Sequence, residues 1–489
     1  GCRRRQSSLK SAGMKQRRHS MRKERFFLEL EHANPALKEQ PHVVIVGGGF
    51  AGLAAARTLA GRQVRVTLID KRNFNLFQPL LYQVATGMVA ESDVASPLRQ
   101  LLGRHDNMQV LLGEVEEIDV ARRQVVFNNR HYGYDRLILA TGSGSSYFGH
   151  EEWRPLAPAM KILEHADEIR RRLLTALEEA EQTPDPERRR FLQSVLVIGG
   201  GPSGCELAGS LTDLVRHDVG RYFQQLDPAH CRITLLDPGD RLLRAMHPSL
   251  SAAAADYLLK RGVDLRLGCR VTAIDAEGVT LKTADGPTRL EAATICWTAG
   301  VRASHLGRLL ADASGCSLDR GGRVEVEADF SIPGHPEIRV VGDLCSYSHT
   351  SDGKPLPGMA GPAVQMGAWV ARDLLASLEG RRAAPFRWLD LGSMAVIGPL
   401  CAVADLRGLR VSGPIGWLLW GLAHLAFMPA HENRVSLLTK WLWQIATRER
   451  ASLLITGQPD QHLDVDVGLQ PHPTTAAEPS PAQESTSPS

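Results

Sequence analysis

One pattern constrains the fold more than any other: a glycine-rich loop that occurs twice, 152 residues apart. HVVIVGGGFAGLAAARTLA (residues 42–60) and SVLVIGGGPSGCELAGSLT (residues 194–212) align without a gap, each running from an apolar strand through G-x-G-x-x-G into a helix of small residues. That context separates a dinucleotide-binding unit from an ordinary glycine turn. In each copy the first glycine (Gly47, Gly199) permits the tight turn. The second (Gly49, Gly201) lets backbone N–H groups approach a pyrophosphate. The third (Gly52, Gly204) lets the helix pack close to the sheet, its positive end aimed at the phosphates. Phe50 and Ala51, and Pro202 and Ser203, occupy the first helical turns. One chain therefore holds two dinucleotides.

The strand RVTLID ends at Asp70, 18 residues past Gly52, close to the ~20 expected of a carboxylate that accepts from ribose hydroxyls; Lys71 follows it. A β-rich stretch containing Val115 leads to YDRLILATGS, an apolar strand that stops at Thr141-Gly142. A long polar helix over residues 161–181 precedes the second loop, whose own strand RITLLD ends at Asp237 after a helical insertion. ATICWTAGV, stopping at Ala299-Gly300, mirrors the earlier ATG strand and completes the internal repeat. EIRVVGDLC then ends at Gly342-Asp343, before a helix near residues 367–378.

At 489 residues and 43% hydrophobic content, the chain is long enough for two or three domains with substantial cores. Residues 1–25 carry a net charge of +9, so the rest is acidic and the basic balance belongs to this arm. Such an arm suits nucleic acid, organelle targeting or anionic lipid, the plainer reading being a solvated extension. The Pro/Ser/Thr-rich end is too poor in apolar residues to order itself. Eight scattered cysteines without a C-x-x-C pair argue against a disulfide framework and a zinc site. No apolar segment opens the chain, and no run reaches the ~18 residues of a membrane-spanning helix.

Residues 413–428 and 434–450 differ from the rest. Leu437, Leu438, Trp441, Leu442 and Ile445 fall on one helical face and Arg434, Lys440, Arg448 and Arg450 edge the other, while Trp417, Trp420, Trp441 and Trp443 are four of eight tryptophans. Tryptophan beside basic residues on an amphipathic helix suits a membrane interface. The alternative is a domain-packing helix.

Two dinucleotide folds, an ATG strand end and a late G-D strand end resemble the two-dinucleotide-fold flavoprotein reductases. FQPLLYQVATG (residues 77–87), IRRRLLTALEEAE (169–181), GGGPSGCELAGSL (199–211), LPGMAGPAVQMG (356–367) and DLGSMAVIG (390–398) carry a closer resemblance to the type II NADH:quinone dehydrogenases, over residues 41–457. The resemblance implies an α/β fold of two Rossmann-like domains with a C-terminal amphipathic-helix membrane anchor. The divisions are a basic extension (1–40), an FAD domain in two parts (41–158 and 325–385), an NADH domain (159–324), the anchor (386–460) and a tail (461–489). FAD is expected on Gly47, Gly49, Phe50, Ala51, Gly52, Asp70, Lys71, Gln83, Val115, Thr141, Gly142, Asp343, Ala360 and Gly361. NADH is expected on Gly199, Gly201, Pro202, Ser203, Gly204, Asp237, Ala299 and Gly300. Asp343 matches the aspartate that holds the ribityl chain.

The resemblance assigns Glu178, Glu206 and Gln365 to catalysis. Glu178 matches a glutamate implicated in quinone reduction, though composition alone makes it a solvated face. Glu206 would lie near the nicotinamide and flavin, and Gln365 matches a quinone-side glutamine. Asn75, Gly361, Met366 and Pro399 depart from the usual pattern and leave the quinone, ubiquinone or menaquinone, open. The implied enzyme oxidises NADH through FAD and reduces a membrane quinone without pumping protons. It would sit on a lipid surface at the cytoplasmic face of a bacterial inner membrane, an organelle inner membrane being the alternative. A homodimer is open, and no nucleic acid or metal is expected. Competing readings are a sulfide:quinone reductase, for which Cys296 and Cys345 are the only candidate redox thiols, and a flavin-binding signalling protein. Cys205 reads as structural.

Overall fold

The computed structural model describes residues 35–450 and 452–457; the basic arm and the Pro/Ser/Thr-rich end lie outside them. The first glycine loop leaves strand β1 (His42–Val46) and opens helix α1 (Phe50–Leu59). β1 sits inside a six-stranded sheet, between β2 (Arg65–Asp70) and β4 (Arg136–Leu139), with β3 (Met108–Leu112) beyond β2 and β9 (His335–Val340) beyond β4. The residues 331–332 complete the far edge. β1 pairs parallel with both neighbours, Val43 facing Val66 on one side and Arg136 on the other. The strand reads VVIV without alternation because both faces are covered. Helix α5 (Ala360–Leu378) returns to lie on α1 so closely that a Cβ on Gly367 would stand 2.0 Å from the Ala51 carbonyl oxygen.

The second loop repeats the arrangement. β5 (Ser194–Ile198) lies between β6 (Arg232–Asp237) and β8 (Thr294–Trp297), with β7 (Val263–Leu267) outside β6, all parallel. The preceding polar helix, α3 (Leu163–Gln182), carries Glu168 in its first half, where it accepts from both Arg171 and Arg172. Helix α4 (Pro202–Asp213) runs on through a wide π turn over residues 214–219, which is where the extra chain before Asp237 goes.

The C-terminal region is built into this body. A three-stranded antiparallel sheet of β10 (Ser393–Gly398), β11 (Cys401–Leu406) and β12 (Leu409–Ser412) packs on α4, where a Cβ on Gly209 would meet the Ile397 oxygen at 1.8 Å. Helix α6 (Gly413–Phe427) crosses that sheet at Gly416. Helix α7 (His431–Thr447) is pinned to the turn after FQPLLYQVATG: Asn433 donates to the carbonyls of Ser92 and Asp93, and Asp93 accepts from Ser436 and Lys440. Neither helix is long and apolar enough to cross a membrane.

Trp420, Leu437 and Trp441 are buried in the same core as the 77–89 segment and the second nucleotide sheet. This corrects the expected face: of the four tryptophans only Trp443 is mostly exposed. Leu438 and Leu442 point outward, Ile445 is partly exposed at the edge of a cavity, Leu437 and Trp441 point in, and Lys440, expected on the polar edge, faces Asp93.

Candidate functional site: two phosphate loops and a cavity behind the second

The two loops are near copies. Gly47 and Gly199 have φ of +101° and +117°, a left-handed region that favours glycine. A Cβ on Gly52 or Gly204 would fall 1.8 Å from the carbonyl oxygen of Gly47 or Gly199, so only glycine allows the helix this close. Gly49 and Gly201 face open space within 4 Å, the approach a pyrophosphate needs. The first N–H groups of α1 and α4 have no intrahelical partner and point that way.

Each second strand ends in an aspartate that clamps its loop. The Gly48 N–H donates to Asp70 Oδ2 at 2.6 Å and the Gly200 N–H to Asp237 Oδ2 at 2.7 Å. The other carboxylate oxygens accept from the N–H groups of Arg72 (2.6 Å) and Gly239 (2.7 Å). These carboxylates therefore shape the backbone first, and only their remaining lone pairs are left for a ribose. Burial raises the pKa of Asp70, and the two N–H bonds and neighbouring cations offset part of that rise.

At the carboxyl ends of β4 and β9, Ser143 donates to Asp343 Oδ2 at 2.7 Å and Lys161 stands 3.7 Å from the same oxygen. The Gly342 N–H reaches Met366 Sδ at 3.3 Å, tying this turn to α5. Thr141 Oγ1 and Asn75 Oδ1 are buried without a partner, although Asn75 Nδ2 donates to the Gly48 carbonyl at 2.7 Å. Orphaned acceptors beside a phosphate loop, an open face at Gly49 and a carboxylate at Asp343 fit a flavin dinucleotide. Val115 is buried, Lys71 lies 4.0 Å from Glu114, and Gly361 at the start of α5 faces open space. On the second fold, Thr298 Oγ1 donates to the Ile198 carbonyl, and Gly300 (φ +81°) lies against Phe148.

A cavity of about 440 Å³ opens between α4, the 82–88 segment, β10 and the C-terminal helices. Tyr82, Gln83, Glu206, Ser210 and three tryptophans (Trp417, Trp420, Trp441) line it, with Arg216, Arg261, Arg448 and Arg450 also on its wall. Glu206 is 8% exposed, and its carboxyl is met by the Val396 N–H at 3.4 Å. Burial pushes its pKa well above the usual carboxylate range. Gln83 Nε2 donates to the Tyr82 hydroxyl (2.8 Å) and Gln83 Oε1 accepts from Trp441 Nε1 (2.9 Å).

The pyridine nucleotide-disulphide oxidoreductase family matches residues 41–367. The chain is 42% identical over 424 residues to the type II NADH:quinone oxidoreductase Ndh of Mycobacterium tuberculosis, covering 85% of this chain and 90% of that protein. The chain belongs to the type II NADH:quinone oxidoreductases. Among solved structures, NDH2 from Plasmodium falciparum in complex with NADH shares the fold at TM-score 0.78 and 17% identity, over 85% of this chain and 100% of that one. A sulfide:quinone oxidoreductase from Aquifex aeolicus shares it more distantly, at TM-score 0.62 and 20% identity over 88% and 96% of the two chains.

In this type II oxidoreductase the three residues assigned to catalysis are not together. Glu206 lines the cavity. Glu178 is exposed on α3 and is absent from the cavity wall, because the buried stripe of that helix runs through Leu173, Leu174, Ala176, Leu177 and Ala180. Gln365 is engaged in a reciprocal pair with the Leu389 backbone at 2.9 Å each way, which ties α5 to the segment leading into the C-terminal sheet. Gln83 stands at the cavity wall and couples it to α7. The thiols of Cys205, Cys296 and Cys345 are buried and shifted upward by burial, Cys296 to about 12. Cys296 and Cys345 belong to different sheets and form no redox pair.

One residue escaped the sequence reading. Arg450, taken for the polar edge of a helix, is buried beyond the end of α7. Its guanidinium donates to Asp218 (2.9 Å), Asp213 (3.0 Å), the Thr86 carbonyl (2.8 Å) and the Ser210 carbonyl (3.0 Å). Three segments far apart in sequence thus share one cation. Burial raises the Asp218 pKa to about 6 despite that cation.

Proposed function

We propose that the cavity beside Glu206 is where the quinone is reduced, and that Glu206 is the proton donor. The enzyme oxidises NADH and reduces quinone; FAD, when bound, accepts the hydride and passes on two electrons. Reducing a quinone also takes two protons. Glu206 carries the reading: a buried carboxyl on the cavity wall, whose protonated form burial favours, is placed to give a proton. Tyr82 and Gln83 on the same wall offer a hydroxyl and an amide to orient a quinone carbonyl. Trp417, Trp420 and Trp441 supply an apolar wall for the quinone ring.

The outer faces of α6 and α7 support docking on a bilayer. Ile415, Leu418, Leu422, Leu438, Leu442 and Trp443 are 45–66% exposed on two neighbouring helices, and so much contiguous apolar surface marks an interaction face. The same helices wall the cavity, so a quinone would pass from the lipid without crossing water. We place the enzyme at the cytoplasmic face of a bacterial inner membrane, where NADH is at hand.

Stopped-flow kinetics of the two half-reactions tests the assignment. Glu206→Gln keeps shape and neutrality but cannot release a proton, so oxidation of the reduced enzyme by quinone slows by about 10²-fold. Glu178→Gln leaves that half-reaction at the parent rate. A Glu206→Gln enzyme reduced and reoxidised at parent rates would remove the assignment.

A further inference from the structure

The two strand-end aspartates clamp their loops in the same way, but the arginines beside them are placed differently. In the first fold Arg72 is locked by Glu164, Nε to Oε1 at 3.1 Å and Nη2 to Oε2 at 3.2 Å. In the second fold Arg244 has no such partner. Its Nη2 stands 3.8 Å from Asp237 Oδ1, its side chain is 57% exposed, and it makes no side-chain hydrogen bond among the described residues. The guanidinium lies across Gly239, where a Cβ would come 2.7 Å from Nε and 2.8 Å from Cζ. Glycine at 239 is therefore what lets this cation fold over the strand end.

The turn that carries Arg244 is fixed. The Leu243 N–H donates to the Gly200 carbonyl of the phosphate loop at 2.8 Å, and Leu243 itself is held at φ +49°, a conformation leucine seldom adopts. Arg241, the nearer candidate in sequence, is engaged inside the turn with the carbonyls of Met246 and Arg244 and with Ser251. Asp237 already accepts two backbone N–H groups, so its charge is offset before any ribose arrives. In dinucleotide folds a carboxylate at this strand end reads the ribose 2′-hydroxyl of NAD, or an arginine nearby accommodates the 2′-phosphate of NADP; here both stand at one strand end.

We propose that Arg244 makes the second site accept NADPH as well as NADH, so that the enzyme oxidises both. The proposal rests on the reading that the second loop takes the pyridine nucleotide. The chemistry is unchanged: NADPH and a proton with quinone give NADP⁺ and quinol, two electrons passing and the 2′-phosphate untouched. Arg244 is a specificity residue that meets this phosphate with charge-assisted N–H bonds.

The test uses the full-length holoenzyme and Arg244→Ala at low ionic strength, where surface electrostatics is least screened. kcat/KM is measured for NADH and NADPH, and binding of 2′,5′-ADP and 5′-AMP is measured by calorimetry, which needs no turnover. The parent is expected to oxidise NADPH, and the variant to raise the NADH:NADPH ratio of kcat/KM about tenfold, with a matching change in the 2′,5′-ADP:5′-AMP ratio of Kd. A change of less than about threefold in both ratios, or parent turnover of NADPH below about one-thousandth of that with NADH, overturns the role of Arg244. If neither fragment binds while NADH is still oxidised, the placement of the ribose at Asp237 is what fails, and the proposal falls with it.

Discussion

Replacing Arg450 by methionine should destabilise the enzyme in a pH-dependent way. The guanidinium is nearly the only compensation for Asp218, whose side chain is 3% exposed. With Arg450 present the Asp218 pKa still lies at about 6 against an ordinary 3.8, a rise that corresponds to ~3 kcal/mol at about 1.36 kcal/mol per pH unit. Because the folded-state pKa is the higher one, this contribution favours the fold fully below pH 3.8 and is lost as the pH rises through 6. Without the guanidinium the pKa rises further, so the loss in Arg450→Met continues to higher pH.

At pH 8 the variant leaves a buried charge without its cation, and breaking such a pair costs about 3–5 kcal/mol. At pH 5.5 Asp218 is mostly protonated in parent and variant alike. What remains, at both pH values, is the loss of the Asp213 contact and of the bonds to the Thr86 and Ser210 carbonyls, about 1–3 kcal/mol for each buried carbonyl left unpaired. Urea unfolding of the holoenzyme, followed by far-UV circular dichroism and flavin fluorescence at both pH values, measures the difference. Equal losses at pH 5.5 and pH 8 would refute the argument that Arg450 acts by compensating Asp218. The same variant should raise the quinone KM, since Arg450 fixes the chain beyond α7 against the cavity wall.

Glu206→Gln should be more stable than the parent above neutral pH, because a folded-state pKa raised by burial means stability lost as pH rises and glutamine has no proton to lose; thermal midpoints at pH 6 and pH 9 should diverge in favour of the variant, and parallel midpoints would contradict a buried, unpaired carboxyl. Gly204→Ala places a Cβ 1.8 Å from the Gly199 oxygen. The backbone must give way at about 1–3 kcal/mol, and NADH affinity measured by titration should fall while flavin content stays near that of the parent. Leu418→Glu, Leu422→Glu and Leu442→Glu together alter exposed side chains only, so flavin content and solubility are retained while sedimentation with lipid vesicles is lost; each buried leucine contributes about 1.5–3 kcal/mol to such partition. Binding that survives all three changes would place the docking surface elsewhere.

The loops were legible in the sequence because what their glycines do is local. A positive φ at Gly47 and contact of Gly52 with a carbonyl five residues back are set within one turn of chain, and the same spacing recurs at Gly199 and Gly204. The C-terminal helices were not, because helical periodicity reports an apolar stripe without saying what covers it. GPIGWLLWGLAHLAF is apolar nearly all round, so an inward Trp420 and an outward Leu418 look alike until β11 and α7 are laid against the helix.

The glutamates divide for the same reason. Glu178 sits beside Glu179 and Glu181, and Glu206 among small and apolar neighbours, but both lie on helices and only the approach of strand β10, which begins at residue 393, shows which of them is buried. Arg450 shows the limit most clearly, since its bonds reach residues 232 to 364 positions away and no pattern within a helix contains them. A basic residue at the end of an amphipathic helix is ordinarily solvated. Here the last turn of chain passes between the 77–87 segment and α4, and the same cation that closes the fold also closes one wall of the cavity. The C-terminal region thus presents an outer face of leucines and an inner face of tryptophans and one arginine, and under the proposed function truncation before Gly413 would remove the cavity wall along with the docking surface.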